Sequence, residues 1–260
     1  MNRLKKINEF RLKLNTNGAS VGSWMQIPNS SIAEIMGDAG YDWVTVDLEH
    51  GSIGVGHLPD LFRALELGGT LPLVRLAEGK AKDCKDALDA GAAGVIVPMV
   101  ENAKQLVDVR NACAWPPIGM RGVGFSRANL FGKYFEEYKE ESQAPIMVAM
   151  IENISAIDEL DEICKVDGLD AIFIGPYDLS ASIGMIGQFN SNEFIEIINQ
   201  IKMIANNNNI PFGIHVVMPS MNELKNKLKE GYRFIAYSID ALMLSEMSNQ
   251  IEAGKLNETL

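Results

Sequence analysis

Residues 41–51 read Tyr41-Asp42-Trp43-Val44-Thr45-Val46-Asp47-Leu48-Glu49-His50-Gly51. Trp43, Val44, Thr45 and Val46 favour a buried strand, because branched and aromatic side chains pack well on a pleated surface. The stretch then changes character. Asp47, Glu49 and His50 put three ionisable groups within four residues, and Gly51 frees the backbone to turn. A strand that ends in a charged cluster is how α/β barrels build catalytic sites. The competing reading is a strand whose exit is simply solvated, and for Glu49 alone that is the better one. For the cluster with His50, function is the better reading, because imidazole titrates near neutral pH.

Outward from this stretch the chain alternates. Further short apolar strands are expected at 20–27, 71–76, 94–98, 146–151, 169–174, 212–217 and 234–238. Helices are expected at 31–38, 58–67, 81–90, 102–112, 133–142, 155–165, 178–183, 193–206, 220–229 and from 241 onward. Ser31 and Glu34 fit a capping box at the start of the first of these. Residues 2–15 carry Leu4, Ile7, Phe10, Leu12 and Leu14 among basic residues, which predicts a further helix closing the base of the domain. Eight strand–helix units of this size predict a (β/α)8 TIM barrel, a single domain over 1–260. An open doubly wound sheet would carry a glycine-rich first turn, whereas Gly51, Gly54 and Gly56 follow the second strand at the wrong spacing.

Composition narrows the function. The 260 residues are 47% hydrophobic and carry a net charge of −11. No basic stripe is present to displace counterions from phosphates, so neither nucleic acid nor an anionic membrane is expected as partner. Cys84, Cys113 and Cys164 are odd in number and widely spaced, which indicates neither a disulfide framework nor a zinc site. Neither an apolar signal core nor an apolar run of about 18 residues occurs, and a cytoplasmic location is expected.

In a barrel the C-terminal strand ends converge on one site. Those ends offer Trp24 and Gln26, then Asp47, Glu49 and His50, then Arg75, Glu152, Asp178, His215, Ser238 and Asp240. Glu152 and Asp178 follow apolar runs on consecutive strands, with no lysine beside them. Two oxygen ligands would suit Mg²⁺ or Mn²⁺ and leave room for substrate and water. The competing and weaker reading is that Asp178 caps its own turn, whereas a lone carboxylate ending a barrel strand, as Glu152 does, is costly. Arg75 offers a fixed fork of donors to a carboxylate or keto oxygen, or else to a neighbouring acid. No strand end carries the lysine a Schiff-base aldolase needs, which favours a metal as electron sink.

Several motifs in order carry a resemblance: Gly22-Ser23-Trp24, Asp47-Leu48-Glu49-His50-Gly51, Val74-Arg75, Asp89-Ala90-Gly91-Ala92-Ala93-Gly94, Val97-Pro98-Met99-Val100, Arg121-Gly122, Ile151-Glu152 and Ile174-Gly175-Pro176-Tyr177-Asp178-Leu179-Ser180. The sequence resembles the HpcH/HpaI family of metal-dependent class II pyruvate aldolases, barrels of the phosphoenolpyruvate/pyruvate-like superfamily. The resemblance implies that Glu152 and Asp178 bind a divalent ion (Mg²⁺, Mn²⁺ or Co²⁺) that chelates a pyruvate unit. It implies that Arg75 contacts the keto oxygen and that His50 is the acid–base residue, with Asp47 in its polar surroundings. Trp24 and the Gly175-Pro176-Tyr177 turn would contact substrate. Asp89 matches the acid that partners the histidine. It falls before strand four, at the opposite face, so it would reach His50 only from a neighbouring subunit, and a hexamer is implied.

The expected reaction is reversible cleavage of a 4-hydroxy-2-oxo acid into pyruvate and an aldehyde. Alternatives are a 2-dehydro-3-deoxy sugar-acid aldolase, a related lyase or decarboxylase, and a barrel that has lost catalysis. Three departures bear on the pocket: Met150 where the family commonly has Gln, Tyr177 where a small residue is frequent, and His215 on strand seven. Tyr177 would narrow the pocket, bind substrate through its hydroxyl, or do neither. Arg121 and Arg127 would bind a remote anion or pair with the chain's acids. His57 and Trp115 read as structural.

Overall fold

The computed structural model describes residues 2–249. Residue 1 and residues 250–260, the two ends of the expected 1–260 domain, lie outside the described residues. The chain runs α1 (Arg3–Asn15), β1 (Ser20–Met25), α2 (Ser30–Asp38), β2 (Trp43–Asp47), α3 (Leu58–Leu67), β3 (Leu71–Arg75), α4 (Ala81–Asp89), β4 (Gly94–Val97) and α5 (Ala103–Cys113). It continues α6 (Phe135–Gln143), β5 (Ile146–Ile151), α7 (Ser155–Asp158), α8 (Leu160–Cys164), β6 (Ala171–Ile174), α9 (Pro176–Ser182) and α10 (Asn192–Asn207). Last come β7 (Phe212–Val216), α11 (Met221–Lys229), β8 (Phe234–Ile239) and α12 (Asp240–Asn249). The eight strands pair in sequence order, all parallel, and β8 closes onto β1. This is a (β/α)8 barrel, the expected fold.

Side-chain alternation divides each strand between two cores. Val44, Val46, Val74, Val95, Ile151, Ile172 and Ile174 face the helices. Trp24, Trp43, Leu71, Leu73, Ile96, Val148, Met150, Phe173 and Phe234 fill the barrel. The inner face is tight: Trp43 stacks on Phe234 at 4.3 Å and lies against Gly22, where an added Cβ would sit 2.1 Å from the indole. From α1, Ile7, Phe10 and Leu14 join this inner core, with the Phe10 ring edge-on to Phe234. The helix therefore plugs the base as expected, although Leu12 faces solvent.

Two local expectations are corrected. The cap of α2 is Asn29, whose side chain accepts from the Ser31 and Ile32 N–H groups, so the Ser31–Glu34 capping box does not form. Asn and Ser cap about equally well, and with Asn29 as the cap the helix begins at Ser30. The helix expected over 155–165 is broken into α7 and α8, separated by Glu159. The closure between β8 and β1 is held by Asp240, buried at the start of α12, whose carboxylate accepts the Gln26 and Ile27 N–H groups at 2.9 and 3.0 Å. The β1–β8 register shifts between Gly22 and Trp24, and Ser238 beside it has a left-handed φ of 56°.

Gly22→Ala is expected to cost about 1–3 kcal/mol, because the barrel interior must move to admit the methyl group. Urea denaturation checks it, and an unchanged midpoint would show slack around Trp43.

Candidate active site

The parallel register of β2 and β3 sets Asp47 directly beside Arg75. Both point inward at the mouth. The guanidinium donates Nε to Asp47 Oδ1 at 2.9 Å and an Nη to Oδ2 at 2.6 Å, a two-pronged charge-assisted pair. Asp47 is fully buried. Its Oδ1 also accepts the Glu49 and His50 N–H groups, and its Oδ2 accepts from Gln26 Nε2. Burial pushes the Asp47 carboxyl up, but the hydrogen bonds and charge of Arg75 outweigh it and hold it below the usual carboxylate range.

Arg75 Nη1 also lies 2.9 Å from Glu49 Oε2, an ion pair without a well-aligned hydrogen bond. This corrects the expectation of a simply solvated Glu49. Its side chain is only 18% exposed, and burial raises its carboxyl more than Arg75 and His50 lower it. Alternation along the strand could not have placed it, because β2 has ended two residues earlier. The His50 ring is exposed on the same turn, and only its backbone is tethered. Beneath Arg75 lies Trp24, with the guanidinium carbon 5.3 Å from the indole centroid. Trp24 is only 2% exposed, so its main contact at the mouth is with Arg75 rather than with the opening.

Across the mouth, Glu152 follows β5 directly and is 2% exposed. One oxygen accepts the Met99 N–H at 2.6 Å. Met99, with its left-handed φ of 48°, was not among the expected site residues, since a backbone donor leaves no mark in sequence. The other oxygen lies over Gly175, where a Cβ would stand 2.6 Å from it. Burial, with smaller contributions from Glu49 and Asp178, raises the Glu152 carboxyl to about 7 against the pull of the Met99 N–H. Asp178 lies in the first turn of α9 and is exposed. Its carboxylate makes no hydrogen bond among the described residues, so the turn-capping reading fails.

The donor set fits a divalent cation. Glu152 and Asp178 are close enough to repel, Glu49 adds a third negative charge, and hard oxygen ligands suit Mg²⁺ or Mn²⁺. Among the described residues no group of three or more His, Cys, Asp or Glu side chains could enclose a metal by itself. A cation held by two carboxylates keeps positions for substrate and water.

The remaining expected residues divide. The Tyr177 ring meets Phe189 edge-on at 5.0 Å. Asp89, at the end of α4, is not brought to His50 within the chain; it accepts from Arg121 at 2.9 Å. Arg121 also donates to Tyr138 Oη and lies over Trp115. Arg127 pairs with Glu66. Both arginines thus pair with the chain's own acids. Trp115 is buried in that cluster, and His57 closes a turn with Gly54. On β7, His215 Nε2 lies 3.0 Å from the Ser238 carbonyl, and burial lowers the imidazole to about 4.

A closed barrel with ionisable groups gathered at one mouth defines an enzyme of the (β/α)8 class. The sequence model of the HpcH/HpaI aldolase/citrate lyase family matches residues 20–246, and the chain belongs to that family. A hydroxypyruvate/pyruvate aldolase of Roseobacter denitrificans is 36% identical over 95% of this chain and 96% of its own. A 2-dehydro-3,6-dideoxy-6-sulfogluconate aldolase of Pseudomonas putida is 33% identical over 92% and 93%. The crystal structure of an HpcH/HpaI aldolase/citrate lyase family protein from Burkholderia cenocepacia superimposes with a TM-score of 0.88 at 26% identity, covering 95% of this chain and 98% of that one. The chain is an aldolase, a lyase acting on a carbon–carbon bond.

The half-buried, largely desolvated His215 imidazole generates a pH dependence. A folded value near 4 lies below the ~6.5 of an unfolded histidine, so folding excludes a proton. The stability this contributes is complete above about pH 6.5 and is lost as pH falls towards 4. By linkage it amounts to at most about 3 kcal/mol. Chemical denaturation of the wild type and His215→Gln at pH 7 and 4.5 checks it. The variant should lose less stability between the two, and parallel losses would refute the assignment.

Proposed function

We propose that the protein reversibly cleaves a 4-hydroxy-2-oxo acid into pyruvate and an aldehyde, with a divalent cation held by Glu152 and Asp178. The observation that carries this reading is the pairing of two under-compensated carboxylates with a pre-oriented guanidinium across one mouth. A relative named hydroxypyruvate/pyruvate aldolase supports the pyruvate side. A divalent ion, when bound, supplies Lewis-acid stabilisation of the charge that develops on the pyruvate oxygens, worth several kcal/mol.

The chain's own residues do the rest. Arg75 has N–H groups left after Asp47 and Glu49 are served, and it offers these to the keto oxygen. Asp47 fixes the direction of that fork. His50, exposed at the mouth, moves the proton between the aldehyde oxygen and solvent, a role worth ~10²–10⁴-fold. The backbone at Gly175 and Pro176 and the Tyr177 turn border the carboxylate end of the substrate. Asp89 joins His50 from a neighbouring copy in a homo-hexamer, since it lies at the far end of its own barrel. A monomer mass by light scattering would contradict this. No described helix is long and apolar enough to cross a membrane. The three buried free cysteines fit a reducing, cytoplasmic setting.

Pyruvate in D₂O with Mg²⁺, Mn²⁺ or Co²⁺ should exchange its methyl protons, followed by NMR. Glu152→Ala should slow this about 10³-fold, the scale of several kcal/mol of lost Lewis-acid stabilisation. An absence of exchange with every metal would sink the reading, whatever the aldehyde.

A further inference from the structure

We propose that His215 is a positioning residue for Arg75, acting through the indole of Trp24. The inference rests on the reading above, in which Arg75 serves the aldolase reaction. Three contacts form a chain from β8 across β7 and β1 to β3. The Ser238 carbonyl lies 3.0 Å from His215 Nε2. A carbonyl only accepts, so Nε2 carries the proton, and desolvation disfavours a second proton on the ring. That ring lies 5.2 Å from Trp24, centroid to centroid, tilted by 34°. Trp24 is stacked on Phe173 at 5.7 Å and 18°, and Arg75 lies 5.3 Å above the indole.

The arrangement explains why a polar ring occupies the barrel's apolar interior. The anchor is unusual: Ser238 holds a left-handed φ of 56° beside the β1–β8 register shift, a conformation that costs a non-glycine residue energy. Asp47 fixes two nitrogens of the guanidinium by hydrogen bonds and Glu49 faces the third as an ion pair, but all three contacts lie at its edge. The flat indole beneath sets the tilt of the guanidinium plane, and the anchored imidazole keeps the indole from rotating. A neutral ring does this without placing a second positive charge beside Arg75. Apolar packing alone would need neither the donor nor the strained acceptor.

The test is a double-mutant cycle read by metal-dependent exchange of pyruvate protons. A small misplacement of a catalytic group costs up to about 10²-fold. His215→Ala should lower kcat about tenfold or more, with KM for pyruvate within about twofold, the signature of an interaction used in the transition state. His215→Gln, which keeps a donor for Ser238, should recover most of the loss. In an Arg75→Lys background, His215→Ala should cost less than about twofold, because coupled residues are not additive. Mn²⁺ affinity by electron paramagnetic resonance should be the same in all variants. Additive losses, an unaffected kcat in folded His215→Ala, or a parallel loss of Mn²⁺ affinity would overturn the proposal. Should His215→Ala not fold, His215→Phe, which keeps the ring and loses the donor, enters the same cycle with the same expectations. Exchange that is present and sensitive to Arg75→Lys but indifferent to His215 defeats this inference alone. Exchange absent from the wild type defeats the aldolase site on which it stands.

Discussion

The mouth of the barrel gathers four carboxylates, Asp47, Glu49, Glu152 and Asp178, around one guanidinium, Arg75. That imbalance governs the rest of the site. Arg75 neutralises Asp47 fully and Glu49 in part, because the β2–β3 register places them within reach of its fork. Among the described residues Glu152 has no ion-pair partner, Arg75 lowers its carboxyl only weakly, and burial raises it to about 7. Burying such a group without a partner costs free energy unless it takes up a proton or a cation. Under the proposed reading, a divalent ion would remove the cost and turn the repulsion into a binding site. The family's aldolase chemistry and the local electrostatics therefore ask for the same thing at the same place.

The mouth works only because the barrel holds it rigidly. Aromatic contacts, stacked between Trp43 and Phe234 and between Phe173 and Trp24 and edge-on between Phe234 and Phe173, fill the interior from the α1 plug up to the floor of the site. Asp240 closes β8 onto β1, and Asp47 ties the turn that carries His50 to the strand before it. Gly175, lacking a Cβ, leaves the space that the second Glu152 oxygen occupies. A side chain there would displace the carboxylate before any chemistry began.

Much of this was legible in the sequence, for a definite reason. Buried parallel strands are short apolar runs, and a charged residue ends or closely follows several of them, as at Asp47, Arg75, Glu152 and Asp240, so the alternation and much of the list of strand ends survive in one dimension. The bounds of β5 agree residue for residue, because Ile151 is apolar and Glu152 is not. Contacts that depend on the path after a strand ends did not survive. Glu49 looked solvated, since alternation stops predicting direction once β2 stops. Met99 serves Glu152 through its backbone, which any residue provides. His215 was visible as an oddity, but its Ser238 acceptor lies on another strand. Asn29 capped α2 where Ser31 was expected, a choice between two competent caps that local sequence does not settle. The Arg121 and Arg127 pairings likewise depend on which acids the fold brings near.

The central claim is that Glu152 and Asp178 hold a divalent ion beside Arg75. A crystal structure with Mn²⁺ and pyruvate, phased on the manganese edge, tests it most directly. The account predicts an anomalous peak bonded to both carboxylates, with the pyruvate keto oxygen facing Arg75. A peak elsewhere, or pyruvate bound away from Arg75, would contradict it.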